Sequence, residues 1–301
     1  MIIRIWTRLS TPPTTKVAWL VRVCFVLSLA SFLGAGITAV SYWRERYGTI
    51  QIALNSAENE LNDAVVELNA ELKHLETTVE TLAEDLSSGD LDNTEVEARL
   101  EDTLRANPSL SAMAAAYEPY AFSEERELFH PNFKRLLTDG VEQFERFDTE
   151  EFINYIETDS YRELLLEGAQ WSEPGLSAII NSIVVEYSVP FTLPENNAPD
   201  PSGIVYANYD LNQLRRLFQS FNLGTTGYPI VITSSGQLIY HPITSFVQQK
   251  RSIIDLSQAF NDADLEAIAR KMVAGESGVG QRGGGAPSWM IYQAIPATNW
   301  S

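Results

Sequence analysis

Few residues in this chain could do chemistry once their surroundings are read. Gly278-Val-Gly280-Gln-Arg-Gly283 has the spacing of a dinucleotide fingerprint. That fingerprint needs a strand before it and a helix after it, so that the helix N-terminus aims its amides at a pyrophosphate. Here a helical pattern precedes and a strand pattern follows, so the segment reads as a flexible loop. Gly275-Glu-Ser277-Gly278 lacks the Gly-x-Ser-x-Gly spacing of a nucleophile elbow. His74, His130 and His241 are the three histidines and Cys24 the one cysteine; no pair has the spacing of a metal site. His130-Pro131 and His241-Pro242 read as structural turns, and His74 as solvated surface. With 40 acidic residues, two carboxylates lying close would mean little. The expectation is a chain that is not an enzyme, with no catalytic residue, no metal and no cofactor. A hydrolase would need a nucleophile that is not visible.

What remains is recognition. Strand alternation along Gly203–Asp210 puts Tyr206, Asn208 and Asp210 on one face. With Tyr117, Tyr161, Trp171 and Tyr187 they would form an aromatic pocket carrying a few polar groups, the usual composition of a small-molecule site. The competing reading is that these aromatics simply fill a core.

The elements that must position them alternate between strand and helix. Ser109–Tyr117 reads as a strand, Thr149–Leu166 as a helix, and Ser182–Phe191 as a strand. A polar loop, Leu193–Ser202, leads to strand Gly203–Tyr209 and helix Asp210–Phe221. Strands Tyr228–Thr233 and Gln237–Tyr240 flank Ser234-Ser235-Gly236, a hairpin signal. Helix Leu256–Ala274 and strand Ser288–Ile295 close the chain. Short turns join antiparallel pairs, which is an α+β pattern of two stacked units.

Ahead of them lies a long helical stretch. Leu54, Leu61, Leu68, Leu75 and Leu82 recur every seven residues, with Val65, Leu72, Val79 and Leu86 between them. No Pro or Gly interrupts Thr49–Ser88, and Ser87-Ser88-Gly89-Asp90 is a stop signal. The stripe reads as a homodimer seam through residues 54–86 and as the packing face of a helix lying on its own domain, two readings that do not exclude each other. Further upstream, Val17–Val40 is apolar apart from Arg22, long enough for one membrane span. Arg4, Arg8, Lys16 and Arg22 precede its uncharged core, Val23–Val40, so the positive-inside tendency places residues 1–16 in the cytoplasm and 47–301 outside. A cleaved signal peptide ending near Gly34–Gly36 is the alternative.

The net charge of −19 is unevenly spread. Residues 1–46 hold six Lys/Arg and one acid, so the remainder carries −24. Such a surface repels phosphate backbones, which excludes nucleic acid as a partner. The single cysteine precludes an intramolecular disulfide and fits a bacterial protein better than a eukaryotic secreted one.

Gly203-Ile-Val-Tyr-Ala-Asn208-Tyr-Asp210-Leu, then Gly224-Thr-Thr-Gly227-Tyr228, then Ser235-Gly236-Gln-Leu-Ile-Tyr-His241-Pro242 resemble the double Cache sensor domain of bacterial transmembrane receptors. Trp171-Ser-Glu-Pro174 and Tyr187-Ser-Val-Pro190-Phe match its preceding part, and Tyr292-Gln-Ala-Ile-Pro296-Ala-Thr-Asn-Trp300 its last strand. The resemblance covers about residues 45–301. It implies two PAS-like modules on a long N-terminal helix: a stalk at 41–90, a membrane-distal module at 91–215 and a membrane-proximal one at 216–301. It further implies a bacterial inner-membrane receptor that binds a small molecule in the distal module. A second span and a cytoplasmic output domain such as a kinase, cyclase or phosphatase would follow Ser301. The amino-acid-binding subgroup has an Arg-x-Trp-Tyr run, then Tyr and Asp, then Asp; here those places hold Thr158, Ser160 and Tyr161, then Gly175 and Ser177, then Asn208. Only the Tyr is kept, so an amino-acid ligand is not expected. The other functional reading is a membrane-anchored coiled-coil scaffold that senses nothing.

Overall fold

The computed structural model describes residues 15–301, apart from 139–140, 149–154, 178–179, 195–199, 220, 222, 225, 284–287 and 299. Most of the expected cytoplasmic segment 1–16, the start of the expected helix 149–166 and the middle of the loop 193–202 lie outside the described residues.

The first element, α1, is one helix from Thr15 to Ser88. It ends at Gly89, whose φ of +81° is the left-handed stop that glycine accepts without a Cβ penalty. Two compact units divide the chain, 1–56 and 57–301. In the first, the apolar stretch of α1 is long enough to cross a membrane, and none of it is buried.

In the second unit, α2 (Val96–Ala106) leads into a seven-stranded antiparallel sheet. Its strands are β1 (Leu110–Tyr117), β2 (Pro131–Thr138), β3 (Val141–Asp148), β4 (Gln170–Trp171), β5 (Gly175–Ser177), β6 (Ser182–Phe191) and β7 (Gly203–Asp210), ordered β3-β2-β1-β7-β6-β4 with β5 also on β6. A short helix, α3 (Asp159–Glu167), lies between β3 and β4.

One face of this sheet packs on α1. Val65, Leu68, Leu72, Leu75, Val79, Leu82 and Leu86 are all buried and share one core with Met113, Ala115, Tyr117, Val185, Tyr187, Val205, Ala207 and Tyr209. From Val65 onward the heptad stripe is the packing face of α1 on the chain's own sheet, one of the two readings of the sequence. An apolar stripe on a helix buries against the nearest apolar face, and β1, β7 and β6 supply one in the same chain. Polar contacts reinforce the fit. The Tyr209 hydroxyl donates to Glu71 (3.1 Å), Trp171 Nε1 to Glu76 (2.9 Å) and the Tyr187 hydroxyl to Glu80 (2.9 Å).

The rest of the unit comprises α4 (Asn212–Phe218), the ribbon β8 (Val231–Ile232) with β9 (Leu238–Tyr240), then α5 (Thr244–Gln248), α6 (Ile253–Ala259), α7 (Ala263–Val273), and the ribbon β10 (Gly278–Arg282) with β11 (Ser288–Tyr292). The expected turn at Ser234–Gly236 is present, with Gly236 at φ +88°. The helix expected over 256–274 is two helices, separated where Asn261 turns to φ +52° and Asp262 caps α7. The segment read as a flexible loop, Gly278–Gly283, is a correction: residues 278–282 form β10. Its glycines mark close packing, since a Cβ on Gly280 would sit 2.5 Å from Ile268 Cδ1 of α7. Glycine in a strand often marks such an approach. A second core gathers Ile232, Leu238, Ile253, Leu265, Ile268, Met272 and Tyr292.

Candidate functional site

Strand parity decides which side chains can meet. In an antiparallel sheet, directly opposed residues point to the same face. On the face away from α1 the pairing register gives two polar rows. One runs Glu145, Lys134, Ala112, Asn208, Glu186. The next runs Phe147, Asn132, Ala114, Tyr206, Ser188, Gln170. Ala112 and Ala114 put only methyl groups in the middle of each row.

Tyr161 of α3 and Tyr155 close over this face, in a cluster with Ala114, Ala116, Ile204 and Tyr206. The Tyr155 hydroxyl donates to the Tyr117 carbonyl at 2.5 Å, which fixes the wall to the sheet. His130 is buried and shares a 2.6 Å hydrogen bond with the Tyr206 hydroxyl, and Asn132 Nδ2 donates to that hydroxyl at 3.3 Å. His130, read as structural and turn-like, is buried and hydrogen-bonded but lies in no turn. It lies just before β2 and points into the face that carries Tyr206.

The seven residues expected at a ligand site fall on two sides of the sheet. Tyr161, Tyr206 and Asn208 lie on the face away from α1, all three buried. Tyr117, Trp171 and Tyr187 belong to the core under α1: Tyr117 packs between Phe129 and Phe191, and Trp171 sits 5.1 Å from Tyr187 and 5.5 Å from Trp300, ring to ring. Asp210 accepts from Ser182 Oγ (2.8 Å) and the Asn212 amide (2.9 Å), tying the end of β7 to the start of α4. Sequence reasoning missed Glu186, Ser188, Asn132 and His130. The signal for the first two was the alternation of Ser182, Val184, Glu186 and Ser188 against Ile183, Val185, Tyr187 and Val189.

The polar groups on this face are not all satisfied. Asn208 is 3% exposed, and its Oδ1 has no hydrogen-bond partner. A buried acceptor left alone costs about 1–3 kcal/mol. Tyr161 Oη and Glu118 Oε1 are also buried on this side, close enough to interact with each other. Burial, then the charge of Glu118, holds the Tyr161 hydroxyl far above its usual range. The same holds for Tyr206, with Glu186 the main charge nearby. Glu186 is half-buried, and burial pushes its carboxyl up to about 7 against a hydrogen bond from Ser188 Oγ (3.0 Å) that lowers it. Among the described residues, no group of three His, Cys, Asp or Glu is placed to hold a metal ion.

The raised carboxyl gives a pH signature. The folded value near 7 lies above the ordinary 4.5, so the folded state binds the extra proton. Stability from this group is complete below pH 4.5 and is lost as pH rises through 7. Discounted for partial exposure, the effect is on the order of 1–2 kcal/mol. Glu186→Gln should melt with the parent at pH 4.5 and a few degrees above it at pH 8. Equal melting at both values would show that the carboxyl is fully solvated.

No protein-family model matches the sequence. The chain is 26% identical over 149 residues to the voltage-dependent calcium channel subunit alpha-2/delta-2 of Rattus norvegicus, a match covering 44% of this chain and 12% of that protein. The extracellular domain of the putative histidine kinase mmHK1S-Z2 superposes with a TM-score of 0.62 at 19% identity, over 83% of this chain and 95% of that one. The ligand-binding domain of the Pseudomonas aeruginosa amino-acid chemoreceptor PctB, solved with L-Gln, superposes with a TM-score of 0.55 at 15% identity, over 81% and 86%. The chain has the fold of the extracellular sensor domains of histidine kinases and chemoreceptors.

Proposed function

We propose that this protein senses a small molecule outside the cytoplasm and signals through its membrane helix. The observation that carries this reading is the polar face of the sheet turned away from α1. There Asn208 Oδ1 is buried without a partner, in register with Glu186 and two residues along β7 from Tyr206, which packs with Tyr155 and Tyr161. Proteins rarely leave a buried acceptor unpaired unless something else fills the place. We assign Tyr161, Tyr206, Asn208 and Glu186 to the site, with Asn132, Ser188 and His130 supporting them. The fold shared with sensor domains supports the reading. So does the exposed apolar stretch of α1, taken as one span with residues 1–16 inside and 47–301 outside. The scaffold alternative loses its main argument, because its coiled-coil stripe is buried in the chain's own core.

The test is a thermal-shift screen of the full chain in detergent micelles against organic acids, amines, amino acids, sugars and purines. A ligand at about 100 times its Kd adds roughly 2.7 kcal/mol, a rise of several degrees for a domain of this size. One chemical class should raise the melt, and Asn208→Val should abolish the rise. A well-folded protein that no class shifts would refute sensing of a small molecule.

A further inference from the structure

We infer that strand β4, through Trp171, is the relay that carries a change on the sensing face to the C-terminal segment 295–301. This rests on the sensing reading above and adds the route by which a signal leaves that face. The two side chains of β4 point opposite ways, as neighbours in a strand do. Gln170 is paired with Ser188 and ends the row that holds Tyr206; Trp171 is paired with Tyr187 and turns to the α1 side. The chain itself makes a second link. Tyr161, which packs in one cluster with Tyr206, sits on α3. That helix ends at Gly168, whose φ is +88°. A shift of α3 is therefore handed to β4 through Gly168 and Ala169 alone.

On its other side Trp171 meets the C-terminal segment. Its indole stands edge-on to Trp300, ring centres 5.5 Å apart, and Trp300 is buried. The Trp300 carbonyl accepts from the Ile295 amide at 2.7 Å, and Ser301 exchanges both backbone hydrogen bonds with Ile232 of β8, at 2.8 and 3.0 Å. Just beyond β4, the Pro174 carbonyl accepts from Gln237 Nε2 at 3.3 Å, next to β9. The β4 segment thus reaches the β8–β9 ribbon by two routes. The competing route is α1, and α1 is clamped. Glu71 and Glu80 accept from Tyr209 and Tyr187, Ser87 Oγ accepts from the Thr192 amide at 3.1 Å, and buried leucines fill the space between. A helix packed and bonded in that way moves with β1, β6 and β7. β4 pairs with β6 alone, over two residues, so little holds it and it moves at low cost. Trp171 has a partner in each camp: Nε1 donates to Glu76 of α1 at 2.9 Å, while the ring leans on Trp300.

The experiment is hydrogen–deuterium exchange of the full chain in micelles, read by mass spectrometry on peptides covering 293–301 and 230–234, with 110–117 as the reference. Tyr161→Ala removes a wall of the sensing face and should speed exchange of the first two about fivefold relative to the reference. In a Trp171→Ala background the same change should add less than about twofold, because the route is already cut. A tryptophan that only fills space would leave the two effects additive. Leu166→Ala, on the exposed side of α3, should change neither peptide. Tyr161→Leu and Trp171→Leu keep apolar bulk and take the place of the alanine variants where the reference peptide itself exchanges faster. Exchange at 293–301 that ignores Tyr161, or that rises by the same factor with and without Trp171, overturns the relay. The sensing face is judged separately, by the ligand screen.

Discussion

Gly203→Ala is expected to destabilise this protein by about 3 kcal/mol or more. Gly203 opens β7 between Tyr117 of β1 and Phe191 of β6. A Cβ there would overlap the Ala116 carbonyl oxygen and stand 2.8 Å from Phe191 Cζ and 2.9 Å from Cε1. The reason is space and not backbone conformation, since Gly203 is not among the residues with positive φ. Phe191 has nowhere to retreat. It is 1% exposed and packs edge-on against Tyr117, whose ring centre is 5.1 Å away. Backbone and ring therefore both resist, and the first residues of the strand that carries Tyr206 and Asn208 must shift. For a domain of this length the loss corresponds to a fall in Tm of roughly 6–12 °C. Gly175→Ala is the control, because a Cβ there meets nothing within 4 Å; it should stay within about 0.5 kcal/mol of the parent. Two variants that melt together would mean that Phe191 does not lie on Gly203.

The strands that carry the face were legible where the pattern was strong. Ser182–Phe191 and Gly203–Asp210 alternate cleanly, and both lie in the structure within a residue of where they are read. The hairpin β2–β3 was not. Pro131-Asn-Phe-Lys-Arg-Leu-Leu-Thr and Val141-Glu-Gln-Phe-Glu-Arg-Phe-Asp are charged, β3 is a sheet edge, and such strands hold little apolar pattern to detect. Gly278–Arg282 was unreadable for another reason. Glycine signals a loop unless one knows that Ile268 lies against it. Strands β8 and β11 are shorter than the Tyr228–Thr233 and Ser288–Ile295 that the sequence suggests.

The site was half legible for a reason of geometry. Residue type marks Tyr117, Tyr187 and Trp171 as readily as Tyr161 and Tyr206, but type does not say which face a strand turns outward. Only register does, and register needs the partner strand. Once β6 is laid against β7, Glu186 falls beside Asn208 and Tyr187 falls on the other side, donating to Glu80 of α1. Unpaired acceptors cannot be seen in a sequence at all, since whether Asn208 has a partner depends on Ala112, Lys134 and Glu186 arriving from other strands.

Leu72→Ala is expected to remove about 2–5 kcal/mol, the range for a fully buried leucine whose site cannot collapse. Leu72 is 0% exposed and lies mid-stripe, between Leu68 and Leu75, against side chains of β1, β6 and β7. A seven-residue repeat drifts by roughly 20° per heptad around a straight helix, so from Leu61 to Leu86 the stripe winds through about 70°. A flat partner would lose contact with it. A sheet whose strands each rotate by roughly 20–25° relative to the last can follow, and α1 lies over several such strands. The heptad that reads as a coiled coil is thus equally suited to a helix crossing a twisted sheet. The two cases separate by mass action. Loss of an in-chain contact lowers Tm by the same amount at 1 and at 100 µM protein, whereas a seam between chains makes the loss depend on concentration. Glu76→Ala, which takes the acceptor from Trp171 Nε1 one turn further on, should behave in the same concentration-independent way with a smaller loss, about 1–3 kcal/mol. If instead Leu72→Ala leaves the dilute protein unchanged and weakens only the concentrated one, the stripe faces another chain and the sheet has a different cover.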